Sequence, residues 1–112
     1  MTFRASFHFD MRPDWEDAIK EGRKTIDVRV NAQPYADVNN GDIIRYRSTE
    51  VKVKKIRAYP SLSDMLAYED FRKVAPGAKD LQEAIQRLLE EIPHAEPSHG
   101  LLAFEIEALR KA

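Results

Sequence analysis

Cysteine is absent from the 112-residue chain, which excludes disulfides, zinc–thiolate sites and a cysteine nucleophile and leaves no sign of an oxidising compartment. No apolar run approaches the roughly 20 residues that span a bilayer. The opening Met-Thr-Phe-Arg also lacks the apolar stretch of a signal peptide. A cytoplasmic protein with no membrane partner is therefore expected. Net charge is missing too, with 18 Lys and Arg against 19 Asp and Glu. A whole-surface nucleic-acid binder would be strongly basic, so only a local basic patch stays open. No Gly-x-Ser-x-Gly elbow, Walker loop or dinucleotide fingerprint occurs. Histidine is scarce: His94 and His99 lie in a Pro-bounded loop without an established ligand pattern, so neither a metal site nor a cofactor is expected. His8 alternates outward between Phe7 and Phe9, where it can border a cleft. A chain of this length, without repeats or low-complexity tracts, makes one domain over residues 1–112. It buries somewhat over ~60% of its unfolded surface and so can hold one core.

What is present reads as alternating strands and capped helices. Phe3, Ala5, Phe7 and Phe9 alternate with polar residues as in a half-buried strand. Pro13 opens a helix whose first turn carries Asp14, Glu16 and Asp17 toward the positive end of the helix dipole. Trp15, Ala18 and Ile19 sit at helical spacing, and Gly22 ends the helix. Thr25 to Val30 forms a strand with Ile26, Val28 and Val30 on one face and Thr25, Asp27 and Arg29 on the other. Asn39-Asn40-Gly41-Asp42 is a turn. Strands follow at about Ile43–Arg47 and Val51–Arg57, joined near Ser48-Thr49-Glu50. The alternation slips between Val53 and Ile56, which predicts a bulge at Lys54-Lys55. Ser61 with Asp64 resembles a capping box, and Asp80 with Glu83 marks another helix start, its apolar stripe running from Leu81 to Ile92. Pro93 closes that helix, and Leu102, Phe104 and Ile106 alternate in a last strand. Strand, helix, three strands, two helices and strand make an α+β chain with a small, curved, barrel-like sheet. Phe7, Val28, Ile44, Val53, Phe104 and Ile106 are its expected core, and Trp15 and Phe71 belong to apolar patterns as well.

The densest polar constellation is Gly22-Arg23-Lys24-Thr25-Ile26-Asp27-Val28-Arg29, at a helix-to-strand junction. A free lysine is mostly protonated at neutral pH and a poor base. Partial burial and the neighbouring arginines lower its pKa, and a nearby carboxylate raises it again. The bland alternative is a solvated strand edge, on which truncating Lys24 would spare the fold. Strand alternation puts Thr25 and Asp27 on one face and Lys24 on the other unless the backbone twists at the junction. A second constellation is the basic hairpin of Arg45, Arg47, Lys52, Lys54, Lys55 and Arg57, with Glu50 as its one acid and with Tyr46 and Tyr59 nearby. It is either a phosphate-attracting stripe for RNA or a solvated outer face whose lysines blunt an edge.

The segments AIKEGRKTIDVR, NNGDIIRY, KKIRAYPSLSDMLAYED and LLAFEIE, in this order, resemble the ASCH family across nearly the whole chain. The resemblance implies a PUA-like β-barrel of about five or six strands with flanking helices, and an association with RNA or modified nucleosides. In size and in Gly-Arg-Lys-Thr-Ile the chain is similar to the small amidohydrolases that remove the acetyl group from N(4)-acetylcytidine by a Lys, Thr and Glu triad. That likeness places the catalytic lysine on Lys24 and the glutamate on Glu69, with Glu83 as the fallback. The threonine position is Asp27 here, so the nucleophile is Thr25, Asp27 or a water that Asp27 or Glu69 activates while Lys24 stabilises the oxyanion. Arg23, Thr25 and Arg29 are then expected to contact the substrate. The implied activity is hydrolysis of an N(4)-acylated cytosine nucleoside. The alternative is a noncatalytic RNA-binding or RNA-processing module, contacting RNA through Arg45, Arg47, Lys52, Lys54 and Lys55.

Overall fold

The computed structural model describes residues 5–92 and 99–109; Phe3, Pro93 and His94 lie outside them. Strand β1 (Ser6–His8) is followed by helix α1 (Pro13–Lys20), which starts on the proline and carries Asp14 and Glu16 in its first turn. Strand β2 (Ile26–Val30) then leads through a 3-10 turn (Tyr35–Asp37) to β3 (Ile43–Tyr46) and the long β4 (Thr49–Tyr59). Helices α2 (Leu62–Tyr68), α3 (Phe71–Val74) and α4 (Leu81–Glu91) precede the last strand, β5 (Leu101–Ala108). Side-chain caps start all three helices: Ser61 Oγ accepts from Asp64 N at 3.1 Å, Asp70 Oδ1 from Arg72 N at 3.0 Å and Asp80 Oδ1 from Glu83 N at 2.8 Å. Each removes an orphan amide from a helix end. Among the described residues no helix is long and apolar enough to cross a membrane.

The five strands form one curled half-barrel sheet in the order β1-β3-β4-β5-β2. Among the described residues, only the β1–β3 pair is parallel. The expected bulge is present: the β4–β5 register shifts between Val53 and Lys55, so that Lys54 is the extra residue. Thr49, Val51 and Val53 face the core before the bulge, and Ile56 does so after it, opposite Phe104. Arg57 is thereby turned to the face that carries Glu105. The core holds Val28, Ile44, Val53, Phe104 and Ile106 as expected. Phe7 only packs against it, because β1 is a three-residue strand at the sheet's edge.

β2 keeps the expected two sets of side chains, Ile26 and Val28 against Asp27 and Arg29. Asp27 pairs in register with Phe104, and Arg29 with Leu102, so these two polar side chains point to the inner, core-lined face. Ile26 lies opposite Glu105 and Val28 opposite Ala103, on the outer face. Both faces are covered, and Asp27 is only 3% exposed. Alternation separates two sets of side chains, but the curl of the sheet decides which set is inside.

Candidate functional site

A cleft of about 1240 Å³ opens on the outer face of β4 and β5. Arg57, Glu105 and Glu107 form its floor, the end of α1 (Ile19 to Gly22) forms one wall, and Tyr68, Glu69, Asp70 and Lys73 at the α2–α3 junction form another. Lys24, Thr25 and Ile26, entering β2, close its inner end. The volume exceeds the roughly 300–1,000 Å³ of common small-molecule sites. Among the described residues, five basic and six acidic side chains line it.

Lys24 is 2% exposed, far from the solvated edge that its flanking charges suggest. The backbone explains this: Arg23 N and Lys24 N both donate to Ala18 O, at 2.8 and 3.1 Å, which wraps the chain tightly around the end of α1. Thr25 N then donates to Lys73 O at 3.2 Å while Thr25 O accepts from Ile106 N at 2.9 Å, so the chain enters β2 at Thr25, tied to both α3 and β5, with Lys24 just before it. Its Nζ donates to Ile26 O at 2.7 Å and to Val74 O, and lies 4.6 Å from the centre of the Trp15 ring. Burial pushes the amine down from 10.5 to about 8; Asp27 and Glu91 oppose that fall, and Arg29 adds to it. An ammonium has three hydrogens and an amine two plus a lone pair. With two positions committed to carbonyls, the third is where Lys24 can release or take a proton. Lys24 also borders a second cavity of about 30 Å³, on the Trp15, Asp27, Arg29 and Glu91 side.

Glu69 follows α2 and is clamped. Arg57 grips it in bidentate fashion, Nε to Oε2 at 2.6 Å and Nη2 to Oε1 at 3.1 Å, while Tyr59 Oη donates to Oε2 at 2.5 Å. Arg57 Nη1 also reaches Glu105 Oε1 at 3.2 Å. Burial pushes the Glu69 carboxyl up, but the bonds from Arg57 and Tyr59 outweigh it, and the group sits below its usual value. An ionised, fully bonded carboxylate is a weak base. Its evident effect is to hold Arg57 and Tyr59 in place.

The structure brings Lys24, Thr25 and Glu69 to one cleft. Asp27 and Arg29 are elsewhere. Both Asp27 oxygens accept from Arg29 Nε at 3.0 Å, and Oδ2 also accepts from Tyr46 Oη at 2.6 Å. That cluster lies on the inner face and borders only the small cavity. Arg23 is exposed and paired with Glu21 through Nε at 3.0 Å. Glu83 pairs with Arg87 at 2.8 Å and lines neither cavity, nor does His8. Of the hairpin cations, Lys54 and Arg57 line the cleft, whereas Arg45, Arg47, Lys52 and Lys55 do not. Arg57, Glu105 and Tyr68 line the cleft without being among the residues expected there, Arg57 being expected in the basic stripe. The slip at Lys54-Lys55 and the alternation of Leu102, Phe104 and Ile106 already carry Arg57 and Glu105 to a shared face; Tyr68 has no such signal.

A half-barrel sheet whose outer face, roofed by short helices, bears a polar cleft with a buried lysine defines a small α+β domain of the PUA-like type. The ASCH domain profile matches residues 9–109, and the chain belongs to that family. Among solved structures, the crystal structure of hypothetical protein PH0355 is 30% identical with a TM-score of 0.86, over 93% of this chain and 99% of that one. The solution structure of protein PF0455 from Pyrococcus furiosus is 29% identical with a TM-score of 0.79, over 95% and 99%. No curated protein matches the sequence.

Proposed function

We propose that the cleft hydrolyses the amide of N(4)-acylated cytosine nucleosides, giving the free nucleoside and a carboxylate, with Lys24 as the proton-transfer group. The observation that carries this reading is a fully buried lysine, its amine near 8, lining a cleft beside a carboxylate-anchored arginine. A general base works best when its pKa lies near the working pH. The Lys24 amine takes a proton from water as the water oxygen bonds to the acyl carbon. The amide C–N bond then breaks, and the Lys24 proton passes to the departing N(4) amine. Thr25 and Lys73, two of the donors lining the cleft, are assigned to the developing oxyanion. Glu69 orients Arg57 over the floor instead of moving protons, and Asp27 acts on Lys24 only through its charge.

The RNA-binding alternative draws support from the exposed Arg45, Arg47, Lys54 and Lys55. Against it stand Glu50 opposite Arg45, Glu107 opposite Lys52 and Glu105 opposite Lys55, which offset the stripe's charge. Incubating the protein with N(4)-acetylcytidine and separating the products tests the two readings. Release of cytidine supports the hydrolase. No release, together with RNA-oligomer binding that falls steeply with salt and weakens when Lys52, Lys54 and Lys55 are all changed to Ala, would replace it.

A further inference from the structure

Tyr68 stands 81% exposed, where Leu81, Leu89 and Leu109 reach only 44%, 47% and 44%. It is the last residue of α2 and lies on the lip of the cleft. The helix does not need it for packing, because Met65 is the residue α2 buries fully in the core. Its ring lies 6.2 Å from that of Tyr59, with 22° between the planes. That is the offset geometry aromatic pairs prefer. Tyr59 is itself fixed by its hydroxyl on Glu69 at 2.5 Å. One part of the Tyr68 ring is thus braced on an anchored neighbour while most of its surface stays open. Among the described residues the cleft lining behind it has five basic and six acidic side chains, with no basic excess to draw a polyanion.

We infer that Tyr68 is a stacking platform for the planar base of an uncharged nucleoside and sets specificity at the mouth of the cleft. The inference deepens the substrate reading above and rests on it. Stacking recognises a flat π-face and tolerates different ring edges, so Tyr68 selects for a heteroaromatic ring while the acyl group points inward toward Lys24. Calorimetric titration with cytidine, the reaction product, measures this without turnover. Tyr68→Ala should weaken cytidine binding roughly tenfold, in line with loss of one base–aromatic stack. Tyr68→Phe should stay within about twofold, because the ring remains. Equal affinity for cytidine in the parent and Tyr68→Ala, or no cytidine binding by the parent at millimolar concentration, overturns the inference. Tyr68-dependent cytidine binding in a protein that releases no cytidine from N(4)-acetylcytidine upholds the platform and removes the hydrolase.

Discussion

Lys24 shows how far a residue's role depends on where the chain folds it. Its flanking charges read as a solvated edge, whereas the structure seats its amine on two backbone carbonyls against Trp15. Lys24→Ala therefore does not spare the fold. It opens a void and strands both carbonyls, and should destabilise by about 2–4 kcal/mol in urea unfolding. Lys24→Met keeps the stem and removes the proton-transfer group, so deacylation should fall by at least ~10²-fold. The pH dependence has a definite sign. The folded-state pKa of about 8 lies below the ordinary 10.5, so between those values the unfolded chain binds the extra proton. Stability should climb across that window as the burial penalty on the charged form is relieved, and below about pH 8 the penalty is complete. Urea midpoints of Lys24→Met should lack this contribution to the rise. Glu69→Gln releases Arg57 without removing the base, so it should cost hydrolysis roughly tenfold, less than loss of a positioned acid–base group.

At the scale of elements, much of the architecture was legible from local chemistry. Pro13, Ser61 and Asp80 mark helix starts, and Gly22 follows the end of α1, because each solves a backbone problem on its own. The bulge showed as a broken alternation between Val53 and Ile56. The facing of β2 was not legible, since the curl of the sheet buries Asp27 against Tyr46 and leaves Arg29 half-buried on the same inner face. Nor was the clamp on Glu69, which joins the end of α2 to β4 through Arg57 and Tyr59. The turn into β5 gives a sharp test. Gly100 has φ of +77°, and a Cβ there would sit 2.6 Å from Tyr59 O. Gly100→Ala must displace β4 backbone next to the clamp. We expect a loss of about 2 kcal/mol or more, seen as a lower thermal midpoint by roughly 8 °C or more, with weaker nucleoside binding.

For the whole molecule, the two edge strands of the half-barrel are joined by a side chain. Arg29 on β2 donates Nη2 to Asp10 O, just after β1, at 2.6 Å, and its guanidinium lies 5.4–5.9 Å from the ring centres of Phe9, Tyr35 and Tyr46. Removing one partner of a buried pair leaves a charge uncompensated. Arg29→Met should therefore cost about 3–5 kcal/mol in chemical denaturation while contributing nothing directly to the cleft. An inner polar cluster thus ties the edges of the half-barrel together, whereas the outer cleft holds the buried Lys24 proposed above as the proton-transfer group. The pH profile of kcat/KM for N(4)-acetylcytidine tests that role most directly. With Lys24 as base, kcat/KM should rise with pH and level off above about 8, and Lys24→Met should lose the activity at every pH. A Lys24→Met protein that folds and releases cytidine at the parental rate would contradict it.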